Sequence, residues 1–397
     1  MAFLFQRIIP EEKLGALNNY SFSHAALTPL DRLLNHIWWI PIHKTVPRWI
    51  APNVLTICGG LSVVLLNFLI FFNMPDLVSS DIPKWLPIAI AICIILYMTF
   101  DGIDGMQARS LGLSSPLGQL LDHGLDAMTT SFYPYFFLIL TPNGYDFPIA
   151  FEVIVAQLNV LVINWREVQF GGFSYSSLPF TGVSEPMLGT IIALFVHYFH
   201  PGVFAKSASV LFSSCSFLQK LYGYVPYDLT ILEFIEYLSV SCASSSIVTF
   251  LVQSYKQCKK KSTFYAHTTL PLIPLILPRD LHRPFCIFAS SVGGIVSIDW
   301  VISAVSKTKS NFFHPQLVLH YTVILSLLLQ HLGEALGVDM GYWTADPILL
   351  KNVLLYTTIF GFSYTFLKFS KTIYEIKAHL GIPIFTVPPQ VYHAKKA

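Results

Sequence analysis

Charge is scarce in this sequence. Only 12% of its 397 residues are Asp, Glu, Lys or Arg, against about 25% in ordinary soluble domains. With 54% of residues hydrophobic, a soluble chain of this length could not cover its surface, and a lipid environment is the first explanation. The formal net charge is only +2, which argues against a nucleic-acid partner. Cysteine is sparse too. Cys58, Cys93, Cys215, Cys242, Cys258 and Cys286 are scattered without a C-x-x-C pair, so neither a zinc site nor a disulfide framework is expected. No internal repeat or low-complexity block stands out. A cleavable signal peptide is also not expected. The apolar run Met1 to Phe5 is too short, and Glu11, Glu12 and Lys13 follow it. The first long apolar segment, from Val54, reads instead as an uncleaved signal-anchor.

Long apolar segments are plentiful. Taking about twenty apolar residues as the requirement for crossing the hydrocarbon core, the sequence predicts an all-α, polytopic integral membrane protein of about ten spans. They centre on Val54–Phe72, Ile82–Phe100, Leu117–Leu140, Phe147–Trp165, Met187–Phe204, Phe234–Tyr255, Thr268–Leu277, Pro284–Val305, Gln316–Leu336 and Ile348–Phe369. The seventh is short and contains Pro271 and Pro274, which suits a kinked or re-entrant segment. With ten spans, 18 of the 24 basic residues fall on the side of the N-terminus and 6 on the other. That bias predicts both termini in the cytosol.

Ahead of the first span, Thr28 can cap a helix and Pro29 suits its first turn. Leu30, Leu33, Leu34, Ile37 and Trp38 share one face, and Asp31, Arg32, Asn35 and His36 the other. An amphipathic helix lying in the membrane interface is expected, with Trp38 and Trp39 at head-group depth. Packing against the protein's own cytosolic face is the alternative. The expected organisation is a cytosolic N-terminal segment with this helix over 1–53, six catalytic spans over 54–255, and four further spans over 256–397. The last four would form a lipid chamber or a dimer contact.

One stretch breaks the apolar pattern in an ordered way. Asp101 and Asp104 lie three apart at the end of the second span, and Asp122 and Asp126 four apart near the start of the third. Both spacings put two carboxylates on one helix face. A helical hairpin would aim both pairs into the same space. At a helix centre each carboxylate costs about 2.5–3.5 kcal/mol on insertion scales, so four of them require compensation. Arg109 is the nearby basic residue. The remaining negative charge invites a divalent cation, and hard oxygen ligands favour Mg²⁺, Mn²⁺ or Ca²⁺ over zinc. Gly102, Gly105, Gly118 and Gly124 are interleaved, leaving room for a ligand or a neighbouring backbone. Solvated aspartates on a water-facing helix pair are the plain alternative. That would explain one or two of them, but not four in this register.

Asp104-Gly105-x-x-Ala108-Arg109, then Gly118, Asp122 and Asp126 at their spacing, with Asp101 three residues upstream, resemble the signature of the CDP-alcohol phosphotransferase family. Asp-His-Gly at 122–124, Ser115-Pro-Leu-Gly118 and Pro47-Arg-Trp-Ile-Ala-Pro-Asn-Val-Leu-Thr56 resemble its eukaryotic choline and ethanolamine phosphotransferase branch. The likeness is close over residues 28–130. Two departures stand out: Met106-Gln-Ala-Arg-Ser-Leu111, where that branch usually has Lys-Gln-Ala-Arg-Arg-Thr, and Gln119, where it usually has Glu.

The resemblance implies transfer of phosphocholine or phosphoethanolamine from CDP-choline or CDP-ethanolamine to diacylglycerol, releasing CMP, with two Mg²⁺ or Mn²⁺ ions. It implies Asp101, Asp104, Asp122 and Asp126 as metal ligands. Arg109 would meet a donor phosphate, Gly105, Ala108 and Gly118 would make room for the nucleotide, and Asn53 and Thr56 would contact the donor. His123 or Asp126 would be the base, with Gln119 placed to orient His123 and Glu167 within possible reach. It also implies placement in the endoplasmic reticulum or Golgi; a homodimer is a further possibility. An inositol- or glycerol-phosphate-transferring relative and a cation transporter are the competing readings. The Asp-His-Gly element and the span count weigh against the first. The lack of a second aspartate pattern after residue 200 weighs against the second. Glu152, Asp299, Glu334, His197 and His200 lack a local motif and are read as structural.

Overall fold

The computed structural model describes residues 7–20, 27–74, 82–130, 139–140, 147–171, 181–225, 227–257, 282–309, 314–338 and 346–393. Among these the chain is helical, and its one β feature is an isolated bridge between Ser207 and Thr230. Among the described residues three helices are long and apolar enough to cross a membrane: Pro52–Asn73, Leu86–Leu111 and Ile231–Gln257. The stretch Ser291–Ser306 is a shorter apolar helix. The predicted spans other than the seventh each coincide at least in part with a described helix. The segment Thr268–Leu277 lies outside the described residues, so the count of ten remains an expectation.

In chain order the helices are α1 (Glu11–Asn18), α2 (Pro29–Leu34), α3 (Ile40–His43), α4 (Pro52–Asn73), α5 (Leu86–Leu111), α6 (Pro116–Thr130), α7 (Phe147–Phe170), α8 (Ser184–Phe199), α9 (Ser209–Phe212), α10 (Ser216–Tyr222), α11 (Ile231–Gln257), α12 (His282–Ser306), α13 (Val318–Ala335), α14 (Pro347–Leu380) and α15 (Pro389–His393). Their ends follow from local chemistry. Pro52 and Pro347 occupy first-turn positions, where a missing N–H costs nothing. Asp346 accepts from the Ile348 and Leu349 amides. Helix α5 stops at Gly112, which takes the left-handed conformation (φ 66°) that glycine adopts without a Cβ penalty.

Helix α4 lies along α5, α5 also carries α8, and α12 is the hub that touches α6, α7 and α14. Leu61, Val64, Leu65, Phe68 and Phe72 form an outward apolar stripe on α4, as expected of a lipid-facing helix. On its other side Leu66 and Ile70 pack with Leu86, Ile90 and Leu194. A second cluster joins distant parts of the chain: Ile9 and Leu17 from the N-terminal segment, Leu117, Leu120 and Leu121 from α6, Ile298 and Val301 from α12, and Phe369 and Ile376 from α14. The Ile8 and Ile9 amides donate to the Glu375 carboxylate, strapping the N-terminal segment to α14.

The amphipathic segment divides between the two expected arrangements. Thr28 and Asp31 form a reciprocal capping box, and Leu33 and Ile37 are exposed. The helix passes through a π-turn over Asn35–Trp39. That turn swings the tryptophans onto α5, where Trp38 Nε1 donates to Thr99 Oγ1 and Trp39 Nε1 to the Met98 carbonyl, both at 2.9 Å. Trp39 is therefore a buried packing residue rather than a head-group anchor.

Asp299 on α12 is buried and paired. Its carboxylate meets His314 Nδ1 at 2.7 Å and accepts from Lys368 Nζ at 2.6 Å. Lys368→Met removes one charged partner and leaves the histidine. The expected loss is about 1.5–3 kcal/mol, the range for hydrogen bonds to charged groups, read as a lower thermal midpoint in detergent. A midpoint equal to wild type would show that this pair does not hold α14 to α12.

Candidate active site

Helices α5 and α6 are joined by a short turn and both pack on α4 rather than along each other, and the motif residues meet at one end of the bundle. Oxygen atoms of Asp101, Asp122 and Asp126 lie within 4.8 Å of one another. Asp126 Oδ1 accepts from Tyr97 OH at 2.6 Å. Asp104 is outside that trio by this distance. It is buried, and its Oδ2 accepts from Thr56 Oγ1 at 2.5 Å. Three carboxylates this close repel strongly unless protonated or bridged by a cation. An all-oxygen set of this kind fits a hard divalent metal.

A cavity of about 230 Å³ opens beside the cluster. It is lined by all six residues expected to meet the donor, namely Asn53, Thr56, Gly105, Ala108, Arg109 and Gly118, and by Asp104, Asp122 and His123. The structure thus brings together every motif residue facing the nucleotide side. Asp101 and Asp126 sit behind, in the carboxylate cluster. Asn53 is held by donating its side-chain amide to the Ile384 carbonyl at 2.8 Å. Gln107 pins the preceding loop through the Pro47 and Ile50 carbonyls and meets His43 Nε2 at 3.1 Å.

The glycines divide by purpose. Gly105 and Gly118 line the cavity. At Gly102 a Cβ would collide with the Trp39 indole, and at Gly124 with the Phe369 ring. Those two positions admit side chains from distant helices rather than a ligand or a backbone.

His123 and Glu167 are buried together, with His123 Nδ1 at 3.5 Å from Glu167 Oε2. The other carboxylate oxygen accepts from Gln119 Nε2 at 2.6 Å. Gln119 therefore acts on Glu167 rather than on the imidazole. A glutamate at 119 could not make this bond while ionised, because it has no proton to donate. Four of the five other polar positions without a motif have described side chains. Asp299 is in the ion pair above, Glu334 accepts from Gln330, His197 stacks on Phe204, His200 ends α8, and the side chain of Glu152 lies outside the described residues. Cys58, Cys93, Cys215 and Cys242 are free thiols.

One site residue has no sequence signal. Tyr20 follows α1 and lines the cavity beside Asp122 and His123. Burial, reinforced by the Glu167 and Asp122 carboxylates, pushes its phenol well above the ordinary tyrosine range, so it stays a proton donor. Tyr20→Phe removes that donor and keeps the ring. The expected result is a three- to tenfold higher KM for the donor nucleotide, about one neutral hydrogen bond, with kcat within twofold. An unchanged KM would place the hydroxyl outside the donor site.

Residues 49–216 match the CDP-alcohol phosphatidyltransferase family. The chain is 26% identical over 198 residues to choline/ethanolaminephosphotransferase 1 of Saccharomyces cerevisiae, covering 50% of this chain and 49% of that protein. It is 35% identical over 130 residues to ethanolaminephosphotransferase 1 of Homo sapiens, covering 32% and 33%. A Dictyostelium discoideum protein described as an uncharacterized CDP-alcohol phosphatidyltransferase class-I family protein matches at 24% over 392 residues, 96% of this chain and 88% of its own length. The chain thus spans half or less of the yeast and human relatives it matches. Helices α4 to α8, which supply all the cavity-lining motif residues and the whole carboxylate cluster, fall inside the family match. The chain carries a CDP-alcohol phosphatidyltransferase domain over residues 49–216.

Proposed function

We propose that this protein transfers phosphocholine or phosphoethanolamine from the CDP-alcohol to diacylglycerol, forming phosphatidylcholine or phosphatidylethanolamine and CMP. The observation that carries this reading is the single cavity in which the nucleotide-facing motif residues meet Asp122 and His123, with the carboxylate cluster directly behind. The diacylglycerol oxygen attacks the β-phosphorus, the bond from that phosphorus to the anhydride oxygen breaks, and CMP leaves. Asp101, Asp104, Asp122 and Asp126 would hold two Mg²⁺ or Mn²⁺ ions, which when bound neutralise the pyrophosphate and stabilise charge as the anhydride breaks. Arg109 contacts a donor phosphate. Gly105, Ala108 and Gly118 leave space for the nucleotide, with Asn53 and Thr56 beside it. His123, turned toward Glu167 through Nδ1, takes the hydroxyl proton at Nε2, and Glu167 steadies the imidazolium that results. Asp126, bonded to Tyr97, fits a metal ligand better than a base.

The ten spans, their division at residues 53 and 255, and a cytosolic active site in the endoplasmic reticulum or Golgi belong to the same proposal. The 18-to-6 distribution of basic residues supports the cytosolic side. Purified protein should release CMP from CDP-choline or CDP-ethanolamine only when diacylglycerol and a divalent metal are both present. CMP release from CDP-diacylglycerol with inositol or glycerol phosphate would assign the site to the other branch. Metal-driven ion uptake without CMP release would make it a transporter. In sealed microsomes the activity should appear without detergent; a requirement for permeabilisation would reverse the topology.

A further inference from the structure

Helix α14 ends at Gly381, which takes the left-handed conformation (φ 64°). Pro383 and Pro388 keep the chain beyond it from resuming a long helix. The segment 382–393 packs instead on the end of the bundle that carries the cavity. Ile382 and Ile384 rest on the cluster that contains Leu117, Leu120 and Leu121 of α6. Val387 is buried with Ala51, just ahead of α4, and Leu111, the last residue of α5; Val391 packs against the same cluster. Arg48 Nη2 donates to the Val391 carbonyl at 3.1 Å. One segment thus holds the start of α4, the end of α5 and the start of α6, the three places whose residues line the cavity.

The contact with Asn53 has a direction. A backbone carbonyl can only accept, so the Asn53 amide must turn Nδ2 toward the Ile384 oxygen, 2.8 Å away. Its Oδ1 is then left facing Gly118, 3.6 Å from where a Cβ on that glycine would stand. Both residues line the cavity, so Asn53 offers an acceptor on that side. Without the Ile384 carbonyl the amide could turn round and offer N–H groups instead.

We propose that segment 382–393 is a positioning element of the donor site. The Ile384 carbonyl fixes the Asn53 amide, and Val387 and Val391 hold the 48–54 turn against the α5–α6 turn, so nucleotide affinity depends on this segment being seated. This role rests on the reading of the first cavity as the donor site. Seating and nucleotide binding are linked, so the nucleotide must favour the seated segment by the same factor by which seating favours the nucleotide. No residue of the segment lines the cavity, so kcat and the use of diacylglycerol should not depend on it.

The test uses the full chain in detergent. Val387→Asp would bury a charge between Ala51 and Leu111, so the segment should lift. The KM for the CDP-alcohol and the Kd for CMP, both with Mg²⁺, should rise about three- to tenfold, the worth of one neutral hydrogen bond. The kcat and the KM for diacylglycerol should stay within twofold. Val387→Ile keeps the apolar contact and should behave as wild type. Hydrogen exchange read by mass spectrometry supplies the reciprocal measurement. In the wild type, CMP with Mg²⁺ should slow exchange across 382–393 by about three- to tenfold, and Val387→Asp should exchange faster without nucleotide. A wild type that binds CMP with no change in exchange across this segment would overturn the role, as would a Val387→Asp variant that exchanges faster yet binds CMP normally, or one whose loss is confined to kcat. If Val387→Asp lowers the thermal midpoint, the wild-type exchange measurement still decides it. A wild type that binds no CMP would instead overturn the donor-site reading, and this role with it.

Discussion

Asparagine at Asp101 or Asp122 is expected to reduce turnover by about 10²–10³-fold, the loss that follows removal of a major electrostatic stabiliser. The substitution preserves side-chain shape and removes one negative charge from a cluster whose oxygens lie within 4.8 Å of one another. Asp104→Asn should fall as far. It also disturbs Thr56, whose hydroxyl donates to this carboxylate and would have to share it with an amide. Each variant should need more Mg²⁺ or Mn²⁺ for half-maximal activity, which a purely structural role would not produce. Near-normal turnover in all three would remove the metal from this site. Protein stability should move the other way. Relieving repulsion among these closely spaced carboxylates stabilises the metal-free fold, so thermal midpoints measured in chelator should rise or hold rather than drop.

His123→Ala should cut the single-turnover rate of CMP release by about 10²–10⁴-fold, the usual contribution of a positioned base, while donor affinity stays near wild type. His123→Gln retains hydrogen bonding but cannot accept a proton at neutral pH, and should be impaired to the same degree. If His123 only supported the loop or the metal ligands, glutamine would recover much of what alanine loses, and a Gln variant near wild type would take the imidazole out of the proton path. Glu167→Gln offers a finer test. It leaves the imidazole present but without the carboxylate at its Nδ1 side, so the rate should fall by less than in His123→Ala. A rate unaffected by Glu167→Gln would confine Glu167 to packing with Gln119.

The chemistry of the site was legible in the sequence because it is local. Spacings of three and four place carboxylates on one helix face whatever the rest of the chain does, and a short turn between α5 and α6 suffices to bring the two pairs together. Asn53, Thr56 and Arg109 were legible through the family pattern, and the structure places all three in one cavity. Glu167 was half legible. It is an acidic residue at the end of an apolar segment, but its partners Gln119 and His123 are 48 and 44 positions away, and no periodicity reports such a contact. Trp39 misled for a related reason. A Trp pair beside an apolar segment suits the membrane interface, but the π-turn that rotates them onto α5 depends on acceptors at Met98 and Thr99.

Composition and period alone determined that this is a helical membrane protein with acidic, metal-suited chemistry at the head of two helices. A low-charge chain must find lipid, lipid demands internally bonded helices, and carboxylates crowded at the ends of apolar helices demand a cation. The tertiary structure alone decided which distant residues complete the site. Tyr20 reaches the cavity because the N-terminal segment is tied to Glu375 and packs Leu17 against α6. The Ile384 carbonyl holds Asn53 across 331 positions. Gly124 is small to admit Phe369, and Gly102 to admit Trp39, not to admit a ligand. The first three depend on how α14 docks and the last on how the π-turn meets α5, and packing of that kind leaves no period in the sequence.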